Sequence, residues 1–262
     1  EREKLLRESI AIREKVDPGS GELAFSLNGL GWFLMNHGRM KEAEPFVQRA
    51  LEIRRAQPTS QTYQRSLLAY GSLLNGMERF DEAERVLREA IPIAERIRGK
   101  DDVQVGELAE QLGVALRERG DLAAGERELR RSLDIYLAHD SSRELASSTL
   151  AELGVLFWRR GDLGSARESL ERSLAMRSGD AEERPATARA YWGLANVSRD
   201  QGDLTRAEAL YRRALAIQEK AFPEGSLPAR RTRAEYAKLL RKDKREAEAR
   251  EEERKASTGA TP

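Results

Sequence analysis

The chain has 262 residues, 35% of them charged, and its 46 Lys+Arg stand against 45 Asp+Glu, so no net field draws it to nucleic acid or to an acidic membrane. The absence of cysteine excludes disulfides, thiolate zinc sites and a cysteine nucleophile. Two histidines and no aspartate-rich loop leave little for a metal centre or a proton shuttle, so no metal or cofactor is expected.

In chain order, residues 1–16 read as one helix. Ser9-Ile10-Ala11-Ile12 matches Ala50-Leu51-Glu52-Ile53 at a spacing of 41, which makes this helix the second half of a truncated repeat. The chain starts at Glu1 inside that half-repeat and is read as a domain of a longer protein. Residues 22–57 hold two helices. Leu27, Leu30, Gly31 and Leu34 fall at i, i+3, i+4 and i+7 on one helical face, and GRMKEAEPFVQRALEI follows from Gly38. The same string returns from Glu78 within residues 60–98, from Gly120 within 102–139, from Gly161 within 142–177 and from Gly202 within 185–221. Its small residues Ala43, Ala83, Gly125, Ala166 and Ala207 are spaced by 40, 42, 41 and 41. A large-then-small pair precedes each string: Leu30-Gly31, Tyr70-Gly71, Leu112-Gly113, Leu153-Gly154 and Leu194-Ala195. Residues 227–256 carry a degenerate, charge-rich copy suited to capping the array, and 257–262 form a small, polar tail expected to be disordered.

Each unit therefore reads as helix A, tight turn, helix B and loop. Gly38, Gly120, Gly161 and Gly202 sit where helix A must end in a left-handed residue. Asp121, Asp162 and Asp203 are placed to cap helix B, and Ser141-Ser142 to cap the helix after them. The loops between units carry breakers: Asp17-Pro18-Gly19, Pro58-Thr59-Ser60, Gly99, Ser178-Gly179-Asp180 with Pro185, and Pro223 with Pro228. No strand pattern competes.

Registered turn-helix strings with these small residues resemble the tetratricopeptide repeat (TPR), in the long variety of about 42 residues found in kinesin light chains and many bacterial proteins. The resemblance implies an all-α fold: a right-handed α-solenoid of stacked antiparallel helix pairs, the TPR superhelix, with A helices lining a concave groove. Helical phase puts Phe25, Asn28, Trp32 and Met35 on that face of the first A helix. The corresponding candidates further on are Arg65, Asn75, Arg117, Val155, Trp158, Arg189, Trp192, Asn196 and Arg199. The tryptophans either pack on the neighbouring A helix or contact ligand, and similar groove asparagines in the family bond a bound peptide's backbone. The arginines offer planar forks to carboxylates, while Glu107, Glu110 and Glu118 keep the groove from being uniformly basic. The clamp by which some family members grip a chaperone's C-terminal carboxylate needs Asn and Lys at fixed positions on three successive A helices, a set this sequence lacks.

Catalysis finds no support. His139, Asp140 and Ser141 are sequence neighbours, whereas catalytic triads assemble from distant segments, and no Gly-rich loop ends in Lys-Ser/Thr. The closing RKDKREAEAREEERK run mixes both charges and reads as a solvated helix. The expected role is a non-enzymatic scaffold that binds another protein as an extended peptide or helix, with no nucleic acid and no membrane. Two alternatives stand beside it: a regulatory or sensory arm of a larger kinase, NTPase or peptidase, and self-association through the N-terminal edge, where Leu5, Leu6, Ile10 and Ile12 lack a partner helix. The excess of arginine, 37 of the 46 basic residues, points to a GC-rich bacterial source, and a cytoplasmic location is expected.

Overall fold

The computed structural model describes residues 1–177, 184–222 and 225–257. The breakers Ser178, Gly179, Asp180 and Pro223, and the tail from residue 258, lie outside the described residues. Those described form thirteen α-helices, one 3-10 turn and no strand. The helices fall into two compact units, Glu1–Ala138 and His139–Pro262.

Unit 1 holds α1 (Arg2–Val16), α2 (Gly21–Asn36), α3 (Met40–Arg54), α4 (Gln61–Gly76), α5 (Phe80–Arg98), α6 (Val103–Arg119) and α7 (Leu122–Leu137). The pairs α2–α3, α4–α5 and α6–α7 pack most extensively, and each second helix also packs on the next first helix. Unit 2 opens with the 3-10 turn Asp140–Ser142, followed by α8 (Arg143–Arg160), α9 (Leu163–Ala175), α10 (Pro185–Asp200), α11 (Leu204–Ala221), α12 (Leu227–Lys242) and α13 (Glu246–Ser257). It repeats the arrangement in the pairs α8–α9, α10–α11 and α12–α13. Each unit is thus a stack of antiparallel helix pairs, and first helices touch their successors: α2 with α4, α4 with α6, α8 with α10, α10 with α12.

The small residue of each first helix sets how closely the pair approaches. A Cβ on Gly31 would lie 2.4 Å from Val47 Cγ2, one on Gly71 2.6 Å from Leu87, one on Gly113 2.7 Å from Leu129 and one on Gly154 2.5 Å from Leu170. The large residue thus fills the space the glycine leaves, and Val47, Leu87, Leu129 and Leu170 are all buried.

Turns between paired helices follow one design. Gly38, Gly120, Gly161 and Gly202 have φ of 72°, 95°, 85° and 90°, and the equivalent turns use Glu78 at 62° and Lys244 at 60°. The carboxylates of Asp121, Asp162 and Asp203 accept from the backbone N–H of Ala124, Ser165 and Arg206. Ser142 occupies the cap position of α8 without a side-chain cap bond. This corrects the expectation for Ser141-Ser142: the chain makes a 3-10 turn there, Ser142 N–H donates to His139 O, and Ser142 is buried.

Two kinds of bond stitch one pair to the next. An arginine near the end of a second helix donates Nη1 to the first two turns of the following helix: Arg13 to Glu22 O and Ser26 Oγ, Arg54 to Thr62 O and Ser66 Oγ. Charges meet at nearly one repeat's distance in sequence, as Arg39 with Glu3, Arg79 with Glu44 and Arg119 with Glu84 in unit 1, and Arg206 with Glu171 and Arg245 with Glu208 in unit 2. Much of the charge read as a solvated face is therefore used between repeats. Pairs this open to solvent are screened and each stabilises only weakly.

Two stability outcomes follow. Gly31→Ala gains about 1 kcal/mol of helix propensity, but its methyl meets Val47, and overpacking costs about 1–3 kcal/mol; urea denaturation should show net destabilisation, while Gly21→Ala, whose Cβ would meet nothing within 4 Å, should show none. Lys244 is exposed, so Lys244→Gly relieves its left-handed backbone strain and should raise the urea midpoint, a gain of about 0.5–1 kcal/mol.

Candidate functional site

The first-helix faces carry the candidate residues, and the two units use them differently. In unit 1, Phe25 and Trp32 stand two turns apart on α2 and reach solvent, 64% and 37% exposed. Arg65 on α4 is also exposed and has no hydrogen bond or ion pair among the described residues. Asn28 and Met35 are buried. The Asn28 amide donates to Ser66 Oγ at 2.8 Å, so it is committed to the next first helix rather than held out for a peptide backbone. Half-buried Asn75 likewise donates to Gln111 O at 2.9 Å. Arg117 is buried, and its guanidinium pairs with Glu118 at 3.0 Å.

In unit 2 the candidates converge. Trp158 on α8 meets Trp192 on α10 edge to face, with ring centroids 5.5 Å apart and planes at 78°. Such a contact adds about 0.5–1.5 kcal/mol beyond area burial. The Trp158 indole N–H donates to Asp200 Oδ2 at 2.7 Å, and Asp200 Oδ1 accepts from Arg199 Nε at 2.9 Å. Arg199 Nη1 reaches Glu235 Oε2 on α12 at 2.5 Å and Tyr211 Oη on α11 at 3.3 Å. The Tyr211 hydroxyl donates to Asn196 Oδ1 at 2.7 Å, and Asn196 Nδ2 returns to Trp192 O at 2.9 Å. Arg189 lies over the Trp192 ring at 5.8 Å and pairs with Glu152 at 3.2 Å.

Burial separates what this network offers from what it keeps. Val155, Trp192, Asn196 and Arg199 are buried; Trp158 and Arg189 are half-exposed. Asn196, whose amide is bonded to Tyr211 and Trp192, and Arg199, whose Nε and Nη1 are bonded to Asp200, Tyr211 and Glu235, were expected as ligand groups but are buried and hold the surface rather than form it. The exception is the Trp192 indole N–H, which is buried without a hydrogen-bond partner. Asp200, Tyr211 and Glu235 are absent from the sequence-based set. Asp200 was findable, because it follows Arg199 at the helix end, but Tyr211 and Glu235 come from other helices.

Burial pushes the Asp200 carboxyl up, but the bonds from Arg199 and Trp158 outweigh it and hold it below 3.8. Arg199 loses charge stability to burial and regains more from Asp200, Tyr211 and Glu235. Among the described residues no group of three or more His, Asp or Glu is arranged to hold a metal ion, and no helix is long and apolar enough to cross a membrane. A carboxylate whose folded pKa is depressed adds stability above its unfolded pKa, and that stability is lost as pH falls through the folded value. Thermal melts should therefore show a loss for wild type below about pH 4 that Asp200→Asn reduces.

Repeated helix pairs, each drawn together by a small residue and closed by a left-handed turn, define a helix-hairpin repeat protein of the α-solenoid class. Family models for the tetratricopeptide repeat match residues 24–56, 62–138, 104–178 and 151–226, together most of the chain. The protein belongs to the tetratricopeptide repeat family. Solved structures with the same fold include BtubC (BKLC) from P. vanneervenii, 20% identical, covering 82% of this chain and 89% of that one at a TM-score of 0.63. The apo quorum sensor NprR from B. thuringiensis is 14% identical, over 92% of this chain and 65% of that one, at 0.65. A putative kinesin light chain from Podosopora anserina is 18% identical, over 74% and 94%, at 0.53. No curated protein matches the chain significantly.

Proposed function

We propose that the protein is a non-catalytic interaction scaffold that binds a peptide or helix of another protein on its first-helix faces, with the α8–α10 surface of unit 2 as the principal site. The observation that carries this is the Trp158–Trp192 pair. Trp158 remains half-exposed although its N–H is fixed by Asp200, so the ring is immobilised before any ligand arrives. A rigid aromatic surface loses little entropy on binding and is the usual source of hot-spot energy. Arg189, held by Glu152 beside the pair, adds a polar rim. On unit 1, Phe25 and Trp32 supply a second aromatic surface.

The long repeat period and the similarity to BtubC (BKLC) and to the Podosopora putative kinesin light chain favour the kinesin-light-chain-like variety, with a bacterial, cytoplasmic protein as the setting. NprR is named a quorum sensor, and its likeness over most of this chain favours a second reading, in which the array is the sensory arm of a larger protein. Self-association is a third mode: Leu5 and Ile12 on α1 are exposed and Val16 joins them, whereas Ile10, expected on the same open edge, is buried and Leu6 packs against the unit 1 core through the α1–α2 contact.

Peptides selected from a random display library against the whole protein should bind at about −8 kcal/mol, in the micromolar range. Fluorescence polarisation should show at least tenfold weaker binding to Trp158→Ala than to wild type. Equal affinity for the folded variant, checked by circular dichroism, rejects unit 2 as the principal site; weakening by Trp32→Ala alone transfers the role to unit 1.

A further inference from the structure

Among the described residues four arginines are buried: Arg54, Arg117, Arg177 and Arg199. A guanidinium removed from water is expensive unless a carboxylate or a full set of acceptors compensates it. Arg117 has Glu118, and Arg199 has Asp200 and Glu235. Arg177, with no carboxylate bonded among the described residues, places all three nitrogens on hydroxyls: Nε on Ser147 at 2.7 Å, Nη1 on Thr187 and Nη2 on Ser148 at 3.2 Å each. Arg54 stands apart. It is 9% exposed, and only Nη1 is bonded, to Ser66 Oγ at 2.9 Å and Thr62 O at 3.1 Å. Its Nε is buried without a partner, and Nη2, also unbonded, keeps contact with solvent.

The two unbonded nitrogens are those of the side-on edge of the guanidinium, the fork that takes a carboxylate or phosphate in two parallel bonds. The charged neighbour on the adjacent strip of α4 is another cation, Arg65, which adds to burial in disfavouring the Arg54 charge. Glu107 on α6 is the acidic group within electrostatic reach of Arg65, and burial pushes its own carboxyl up. No ion pair joins Arg65 to it, and none joins it to Arg54. Asn28 also donates to Ser66 Oγ, which fixes the hydroxyl that orients Arg54.

We propose that Arg54 and Arg65 form an oxyanion site on unit 1, in which Nη2 of Arg54, the unbonded nitrogen that reaches solvent, receives an oxygen of a carboxylate or phosphoryl group and the exposed Arg65 pairs with it from the rim. This goes beyond the aromatic surfaces and stands whether or not Trp158 binds a peptide. The ligand supplies the countercharge that neither Arg54 nor Arg177 finds among the described residues, and of these two only Arg54 has nitrogens left unbonded.

The test titrates the 15N-labelled full chain with inorganic phosphate and, separately, with glutarate, at constant ionic strength set by chloride, following the Arg54 Nε–Hε resonance. The expected result is a saturable shift with at least one of the two anions, with the tighter one naming the source as phosphoryl or carboxylate. Arg65→Gln, at an exposed position that leaves the fold intact, should weaken binding at least threefold, and Arg54→Gln, followed through the backbone amides of Thr62 and Ser66, should abolish it. No saturable shift beyond that of chloride overturns the proposal. So does an unchanged dissociation constant in Arg65→Gln, a result that remains decisive even if Arg54→Gln fails to fold.

Discussion

The distance between the two helices of a pair is the constraint on which the rest depends. Gly31 facing Val47, Gly71 facing Leu87, Gly113 facing Leu129 and Gly154 facing Leu170 bring the backbones close enough for one large side chain to fill the contact. Side chains on the flanks of each first helix then reach the next first helix, as Asn28 does with Ser66 and Asn75 with Gln111. A pair held further apart would displace both the stitching bonds and the aromatic surfaces.

The all-α fold and the order of paired helices were legible because their determinants are local. A glycine or alanine recurring every 40–42 residues, a left-handed turn and an aspartate cap each act within a few residues. The division into two units at Ala138 was not legible, because the repeat string runs through it without a change of period. Ser142 shows the same limit on a small scale, since its buried hydroxyl and the 3-10 turn before it depend on tertiary surroundings.

Helical phase assigns a residue to a strip of the helix, but whether the next helix covers that strip is a long-range matter. Asn196 and Trp158 were placed on one strip by the same reasoning, yet Tyr211 and Trp192 enclose the first, whereas the second keeps a free edge. Arg54 escaped notice for the complementary reason. It belongs to a second helix, outside the strip that phase singles out, and its unmet hydrogen bonds are visible only once the partners of the other buried arginines have been located. Polar residues in this chain thus divide between those the repeat consumes to hold itself together and those left with bonding capacity, and that division follows from packing rather than residue type.

The placement of the three tryptophans also makes the two units optically distinct. Trp32, in unit 1, emits from a solvent-exposed position, whereas Trp192 emits from the interior of unit 2 and Trp158 sits edge-on to it with a carboxylate on its N–H. Indole emission shifts to longer wavelength as the ring meets water. The natural fluorescence of the chain therefore carries a blue component, from the buried Trp192, that only unit 2 supplies, so the loss of packing in that unit can be followed without an added label.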